Sequence, residues 1–217
     1  MRDARSGARA AGAFYLVTIA AGLYAQIGTR SALIVRDDAA ATMANITAHL
    51  PLYRSGIAAD LVMLGCYLVV TVLFHPLFRN GGARVSAVAA AFSLTGIGVL
   101  AATTLLHVAP LVLIDQGQPA TSILVALRLH GQGYAISLVF FGVYCLLIGW
   151  LSVRARAAPV AVGALMATGG AVHLVNNLVG FADPALVDGV PRPVLMLPLV
   201  GEASIALWLF VFGARRD

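Results

Sequence analysis

Long apolar segments alternate with short polar ones along most of this chain. Six apolar segments reach the roughly 18 to 25 residues that an α-helix needs to cross a ~30 Å hydrocarbon layer. The pattern therefore predicts an all-α fold, a polytopic membrane bundle of about six transmembrane helices. We place these helices at residues 10–29, 55–78, 85–113, 121–151, 157–181 and 194–213.

The first apolar segment follows Arg2, Arg5 and Arg9, as the apolar core of a signal peptide would. Its apolar run is long for a signal peptide, and five more spanning segments follow it. We therefore predict that the first segment is a retained transmembrane helix.

A shorter helix is predicted in the connection after the first span. Asp37-Asp38 is followed by alanine-rich sequence, and Pro51 limits the segment. An aspartate before good helix formers is a typical N-cap. Met43, Ile46 and Leu50 share one face, so this helix is expected to lie on the outer membrane surface or to cover the bundle.

Composition agrees with a single integral membrane domain over residues 1–217. The chain is 60% hydrophobic and 11% charged, and its mean hydropathy is +0.92, far from the values of soluble domains. The two cysteines, Cys66 and Cys145, fall in apolar segments without metal or redox spacing, which favours simple packing. No basic stripe with interleaved aromatic residues appears, so we expect no nucleic-acid partner.

Arginine supplies all the positive side-chain charge, since lysine is absent, and its distribution predicts the orientation. In a six-span model nine arginines lie on one side and five on the other. An excess of positive charge marks the cytoplasmic side, so both termini are expected in the cytoplasm. Arginine-only usage with abundant alanine, glycine and valine is typical of a GC-rich bacterial genome, which suggests a bacterial inner membrane. The nine are Arg2, Arg5, Arg9, Arg79, Arg84, Arg154, Arg156, Arg215 and Arg216; the five are Arg30, Arg36, Arg54, Arg128 and Arg192.

Two carboxylates, Asp60 and Glu202, interrupt apolar segments, and Glu202 is the only glutamate in the chain. An ionised group in hydrocarbon costs from ~3 kcal/mol on insertion scales to more than ~10 in simulations, so it usually marks a functional site. His130 and His173 occupy a similar depth, roughly 8–14 Å below the outer boundary at ~1.5 Å per residue. The sequence thus predicts one polar layer in the outer leaflet.

Helical spacing selects the members of this layer. His130, Tyr134 and Ser137 share one stripe of the fourth span, and His173 and Asn177 are one turn apart in the fifth. Two arginines at the outer mouth could balance the carboxylates or receive an anionic head group. His107, near Pro110 and the helix end, is expected to be an interfacial structural residue. We predict catalytic roles for Asp60, Glu202 and His130, and ligand binding by Arg54, Arg128, Tyr134, Ser137, His173 and Asn177.

Several chemistries suit such a layer. A carboxyl in hydrocarbon can retain its proton near neutral pH and act as a general acid, with a neutral imidazole as the base. Histidines and carboxylates could also ligate zinc or iron, but no His-x-x-x-His or His-Glu-x-x-His motif occurs, so each ligand would come from a different helix. We predict no metal site, and the sequence identifies no cofactor. A structural alternative is that these groups only pair across helices.

Three stretches of the sequence carry a family resemblance: Leu52-Tyr53-Arg54-Ser55-Gly56 before Ala59-Asp60-Leu61, the block from Leu129 to Tyr144, and Gly201-Glu202-Ala203. In these stretches the chain resembles the bacterial domain of unknown function 4386 family. It implies a small bacterial integral membrane protein with about six spans. It implies no catalytic role, because the family has no established activity. At Asn176-Asn177 the chain departs from the acidic residue expected in many relatives.

Three functions are therefore open. The favoured one is a membrane-embedded enzyme that acts on a lipid or isoprenoid from the outer leaflet by acid/base chemistry. The second is a carrier or binding protein for a small ligand or for protons. The third is a structural or accessory protein whose polar layer fixes helix register. A membrane lipid and a small apolar ligand are the expected partners, and the sequence does not indicate an oligomeric state.

Overall fold

The computed structural model describes residues 2–214, with side chains from residue 5 onward. Six of its helices are long and apolar enough to cross a membrane, and they coincide with the six predicted segments. The all-helical, six-span prediction is confirmed. Three of the arginines used for the orientation, Arg2, Arg215 and Arg216, lie outside the described side chains.

The described part of the chain contains these helical elements in order: α1 (Arg2–Leu23), a π-helical segment (Tyr24–Arg30), a final turn (Ser31–Leu33), α2 (Ala39–Ala48), α3 (Leu50–Phe78), a 3₁₀ turn (Arg79–Gly81), α4 (Ala83–Asp115), α5 (Ala120–Arg154), α6 (Val160–Ala182), a short turn (Ala185–Asp188) and α7 (Arg192–Phe212).

The six spanning helices form a closed ring in chain order. α1 packs against α3, and then α3 against α4, α4 against α5, α5 against α6 and α6 against α7. The ring closes because α7 also packs against α1. Short connections favour neighbours that are antiparallel, so the chain runs up and down around a common centre.

Small residues bring the helices of this ring close together. A Cβ added at Gly170 of α6 would lie 2.7 Å from the carbonyl oxygen of Gly142 on α5, which is too close for any side chain. Close backbone approach at small residues is how transmembrane helices gain packing energy. Aromatic rings fill the centre, where Tyr67 stacks on Phe141 with centroids 4.7 Å apart.

The predicted short helix is present as α2 and covers one end of the bundle. The Asp38 carboxylate caps it by accepting a hydrogen bond of 2.8 Å from the backbone N–H of Ala41. Ile46 is fully buried and packs in a small apolar cluster with Tyr53 of α3 and Ile123 of α5. We call this end of the bundle the outer end, following the predicted orientation.

Candidate functional site

A buried ion pair lies near the outer end of the bundle. Asp60 of α3 is only 2% exposed, and its Oδ2 accepts a hydrogen bond of 2.6 Å from Nη1 of Arg30. The same oxygen lies 2.9 Å from Nδ1 of His107 on α4. Since the guanidinium is always charged, Asp60 is the carboxylate of an ion pair, and His107 Nδ1 donates its proton to it.

A second histidine completes the group. The ring of His130 on α5 stacks on that of His107, with centroids 4.8 Å apart and planes inclined by 23°. Its Nδ1 lies 3.0 Å from the backbone carbonyl oxygen of Thr103. A carbonyl oxygen can only accept, so Nδ1 carries the proton and Nε2 of the neutral ring holds a lone pair. We call Arg30, Asp60, His107 and His130 the polar cluster.

Arg30 reaches the cluster through the π-helical end of the first span. This wider turn contains Gln26, whose side-chain Oε1 accepts from Nε of Arg30 at 2.9 Å. Nearby, the hydroxyl of Thr29 bonds to the carbonyl of Ala25 at 2.6 Å and lies against Gly56 of α3, where no side chain would fit. π-Helical turns are rare and occur often at functional sites. Here the turn holds a guanidinium inside the bundle.

The polar cluster has unused hydrogen-bonding capacity. Within the described part of the chain, five buried side-chain N or O atoms have no hydrogen-bond partner. Four of them belong to the cluster: Arg30 Nη2, Asp60 Oδ1, His107 Nε2 and His130 Nε2. An unsatisfied buried group costs roughly 1–3 kcal/mol, so a molecule that pairs with these atoms recovers that free energy.

Three members of the cluster are of the types that hold metals. Asp60, His107 and His130 each offer a ligand atom, and these atoms lie within 4.8 Å of one another. They come from three helices, the only arrangement that the sequence left open. However, Arg30 already neutralises Asp60, and a divalent cation would add two uncompensated charges to a buried site. The charge balance therefore favours a neutral or anionic ligand over a metal.

Two adjoining cavities border this region. The outer cavity, about 760 Å³, lies between the end of the first span and the outer part of α5, and its walls include Arg30 and His130. The central chamber, about 230 Å³, has walls from all six spanning helices and is mainly apolar. Gln26 and Tyr134 line both spaces, so they form the boundary between them.

Glu202 belongs to a separate pair in the central chamber. Its Oε1 lies 3.5 Å from Nε2 of His173, and both side chains are 18% exposed. Asn177 uses its amide to donate a 2.7 Å hydrogen bond to the backbone carbonyl of His173, one turn earlier in α6. The expected single layer is thus two groups: Asp60 and His130 meet on one side, and His173 and Glu202 meet on α6 and α7.

The remaining predicted residues have different surroundings. Tyr134 lies between the two cavities, and the Arg30 guanidinium is 5.9 Å from its ring centre. Ser137 is buried and donates to the Tyr134 carbonyl at 2.6 Å, so its proton is used within α5. Arg128 lines the outer cavity, as expected of a mouth residue. Arg54 is exposed and lines neither cavity.

Sequence reasoning missed two members of the polar cluster. Arg30 was assigned to the outer connection because an apolar run ending at residue 29 gives no sign that a π-helical turn continues inward. His107 was expected at the wet boundary but is fully buried, with Tyr53 donating a 2.6 Å hydrogen bond to its carbonyl. The useful signal was its depth, which matches that of Asp60 in the neighbouring helix.

Comparison with known proteins gives a family but no activity. The family model described as Domain of unknown function (DUF4386) matches residues 10–213, nearly the whole chain. No curated protein and no solved structure matches the chain.

Proposed function

The chain belongs to the DUF4386 family, and for this member we propose an integral membrane enzyme that acts on a lipid or isoprenoid by acid/base chemistry. It lies in the bacterial inner membrane with both termini in the cytoplasm, and its substrate enters from the outer leaflet. The observation that carries the proposal is the position of Arg30 and His130 on the wall of a cavity that adjoins an apolar chamber. Such a boundary places a polar reacting group beside room for a hydrocarbon chain.

His130 is the proposed general base. Its hydrogen bond to the Thr103 carbonyl fixes the tautomer and leaves a lone pair on Nε2, which has no partner in the protein. A neutral imidazole in this state can take a proton from a substrate hydroxyl. The proton would move to Nε2 and leave an oxyanion on the substrate, close to the Arg30 side chain.

Arg30 and Asp60 act as the electrostatic frame of this step. The guanidinium retains an unpaired NH2 group, Nη2, whose two N–H donors can stabilise developing negative charge. Asp60 fixes the guanidinium through Nη1 and also orients His107, on which the His130 ring stacks. Its role is therefore positioning through an ionised carboxylate, whereas the sequence suggested a protonated general acid.

A lipid turnover assay examines this proposal. Proteoliposomes made with a bacterial lipid extract are followed by mass spectrometry for wild type, His130→Gln and His49→Gln. His49 is exposed on the outer surface and lines neither cavity, so it provides a matched histidine control. We expect a lipid species to be converted by wild type and His49→Gln, and a loss of at least about 100-fold in His130→Gln, the low end for general-base removal. Equal conversion by His130→Gln would overturn the role of His130.

A second candidate function, a carrier or binding protein for a small ligand or protons, rests on the Glu202–His173 pair. This pair lines the mainly apolar chamber, and intramembrane carboxylates and histidines are common in proton relays. Ion-coupled flux in proteoliposomes that is lost in Glu202→Gln but kept in His130→Gln would favour the carrier over the enzyme.

A further inference from the structure

Positive charge is not fully balanced around the outer cavity. Arg30, Arg36 and Arg128 all line it. Arg30 is paired with Asp60, and Arg128 lies 3.2 Å from the Asp37 carboxylate. Arg36 forms no ion pair within the described part of the chain, and Asp37 is the only carboxylate in the cavity wall. Counted over the wall residues and Asp60, the cavity retains about one net positive charge, which attracts an anion; the neighbouring Asp38 carboxylate lies outside the wall and caps α2.

The two cavities follow the same polar-to-apolar direction along α5. The outer cavity touches α5 from Leu124 to Tyr134, and the chamber continues from Tyr134 to Phe141. At ~1.5 Å per residue these stretches cover about 15 Å and a further 10 Å along the helix axis. The first span and the turn that follows it contribute wall residues in the same order, from Arg36 in the turn down to Thr18 in α1.

We propose that the substrate is a phosphate-bearing amphiphile with a single hydrocarbon or isoprenoid chain. Its phosphate lies at Arg36 and Arg128, its polar link passes Arg30 and His130, and its chain crosses the Gln26–Tyr134 boundary into the central chamber. This inference rests on the function proposed above and adds the class of substrate.

The chemistry of the walls selects this class. Arginine presents a planar set of N–H donors that matches the oxygens of a phosphate, and it remains charged at the membrane surface. A cationic head group would meet the same charge with repulsion. The chamber, at about 230 Å³, has less than a third of the volume of the outer cavity, which suits one chain rather than two side by side.

The experiment uses dodecyl phosphate as the probe and the full chain in phosphatidylcholine nanodiscs. Binding is measured by the shift of the thermal unfolding midpoint and by native mass spectrometry. Dodecyltrimethylammonium provides the opposite head-group charge on the same chain, and inorganic phosphate provides the head group alone. We expect saturable binding of dodecyl phosphate and at least about tenfold weaker binding of each comparison compound. The cation cannot accept the charge-assisted hydrogen bonds, each of which contributes about that factor, and inorganic phosphate lacks the chain that the chamber buries.

Variants locate the two ends of the probe. Arg36→Gln is expected to raise the dissociation constant of dodecyl phosphate about tenfold, whereas Arg54→Gln, an exposed arginine outside both cavities, leaves it unchanged. Leu138→Trp fills part of the chamber and should weaken the binding of dodecyl phosphate. The variant should remain folded, with an unchanged elution volume on gel filtration. Unchanged affinity in Arg36→Gln or in Leu138→Trp, or equal binding of inorganic phosphate, would overturn the assignment.

The binding measurement and the lipid turnover assay together separate this inference from the proposed enzyme activity. Turnover of a neutral lipid without dodecyl phosphate binding would contradict the proposed substrate class but would still support the proposed enzyme activity. Tight dodecyl phosphate binding without any lipid turnover would support a phosphate-bearing amphiphile as the ligand and contradict the proposed enzyme.

Discussion

Arg30 and Asp60 form an ion pair removed from water, with side chains 8% and 3% exposed. Two such charges are tolerated in the bundle because each satisfies the other and because Gln26 and His107 add hydrogen bonds. Loss of one partner leaves the other as an uncompensated buried charge. The pair is therefore important for stability as well as for the electrostatics of the site.

Asp60→Asn is expected to lower the free energy of unfolding by about 3–5 kcal/mol, the usual cost of breaking a buried pair. In the double variant Arg30→Gln/Asp60→Asn, the free energy of unfolding should fall by less than the sum of the decreases in the two single variants, because no isolated charge remains. Denaturant titration of the purified protein measures these values. Asp115→Asn, at an exposed helix end, is the control and should change stability by less than about 0.5 kcal/mol. Additive losses in the double variant would contradict the coupling.

The sequence identified some residues of the polar cluster but not all of them, for a physical reason. Asp60 and His130 were identifiable because polar groups in apolar helices are costly. Their partner Arg30 was not, since its inward direction depends on a π-helical turn and on the close approach of Gly56. The separation of Glu202 from Asp60 also depends on how the helices rotate, which depth alone does not specify.

Among the elements, α4 and α5 hold the two histidines together through a tight contact. A Cβ on Gly133 of α5 would overlap the side chain of Thr103 on α4, the residue whose carbonyl binds His130. A Cβ on Gly131, two residues earlier, would meet nothing within 4 Å. Of these two glycines, only Gly131 borders the outer cavity.

Gly133→Ala is expected to destabilise the protein by about 1–3 kcal/mol, since overpacking forces the two helices apart. Gly131→Ala should leave stability unchanged or raise it by up to about 1 kcal/mol, because alanine is the better helix former. Thermal unfolding of both variants in the same detergent gives the comparison. Similar midpoints for the two variants would show that the α4–α5 contact is looser than described.

Helix number and approximate bounds followed from the apolar pattern, because span length is set by membrane thickness. The closed ring and the contribution of every span to the chamber did not follow from it. Those features depend on pairwise helix contacts, such as the one between α7 and α1, which leave no periodic signal in a single sequence.

For the whole molecule, the ring of six spans predicts that both termini lie on the side of the α3–α4 turn. Because the excess of arginine predicts that this side is cytoplasmic, Asn80 in the α3–α4 turn should face the cytoplasm and Gln116 between α4 and α5 the periplasm. Both side chains are exposed. A membrane-impermeant maleimide applied to spheroplasts should label Gln116→Cys and not Asn80→Cys. The parent chain, with Cys66 and Cys145 in the spans, gives the background. Labelling of Asn80→Cys without labelling of Gln116→Cys would show that the protein has the opposite orientation.

We propose that the outer cavity and the central chamber act as one site for one amphiphile. An experimental structure of the protein in phosphatidylcholine nanodiscs with dodecyl phosphate tests whether the two spaces are continuous. We predict continuous density for the probe, with the phosphate beside Arg36 and Arg128 and the chain running past Tyr134 into the chamber. Dodecyl phosphate bound elsewhere, or a chamber closed to the outer cavity with the probe confined to the mouth, would contradict it.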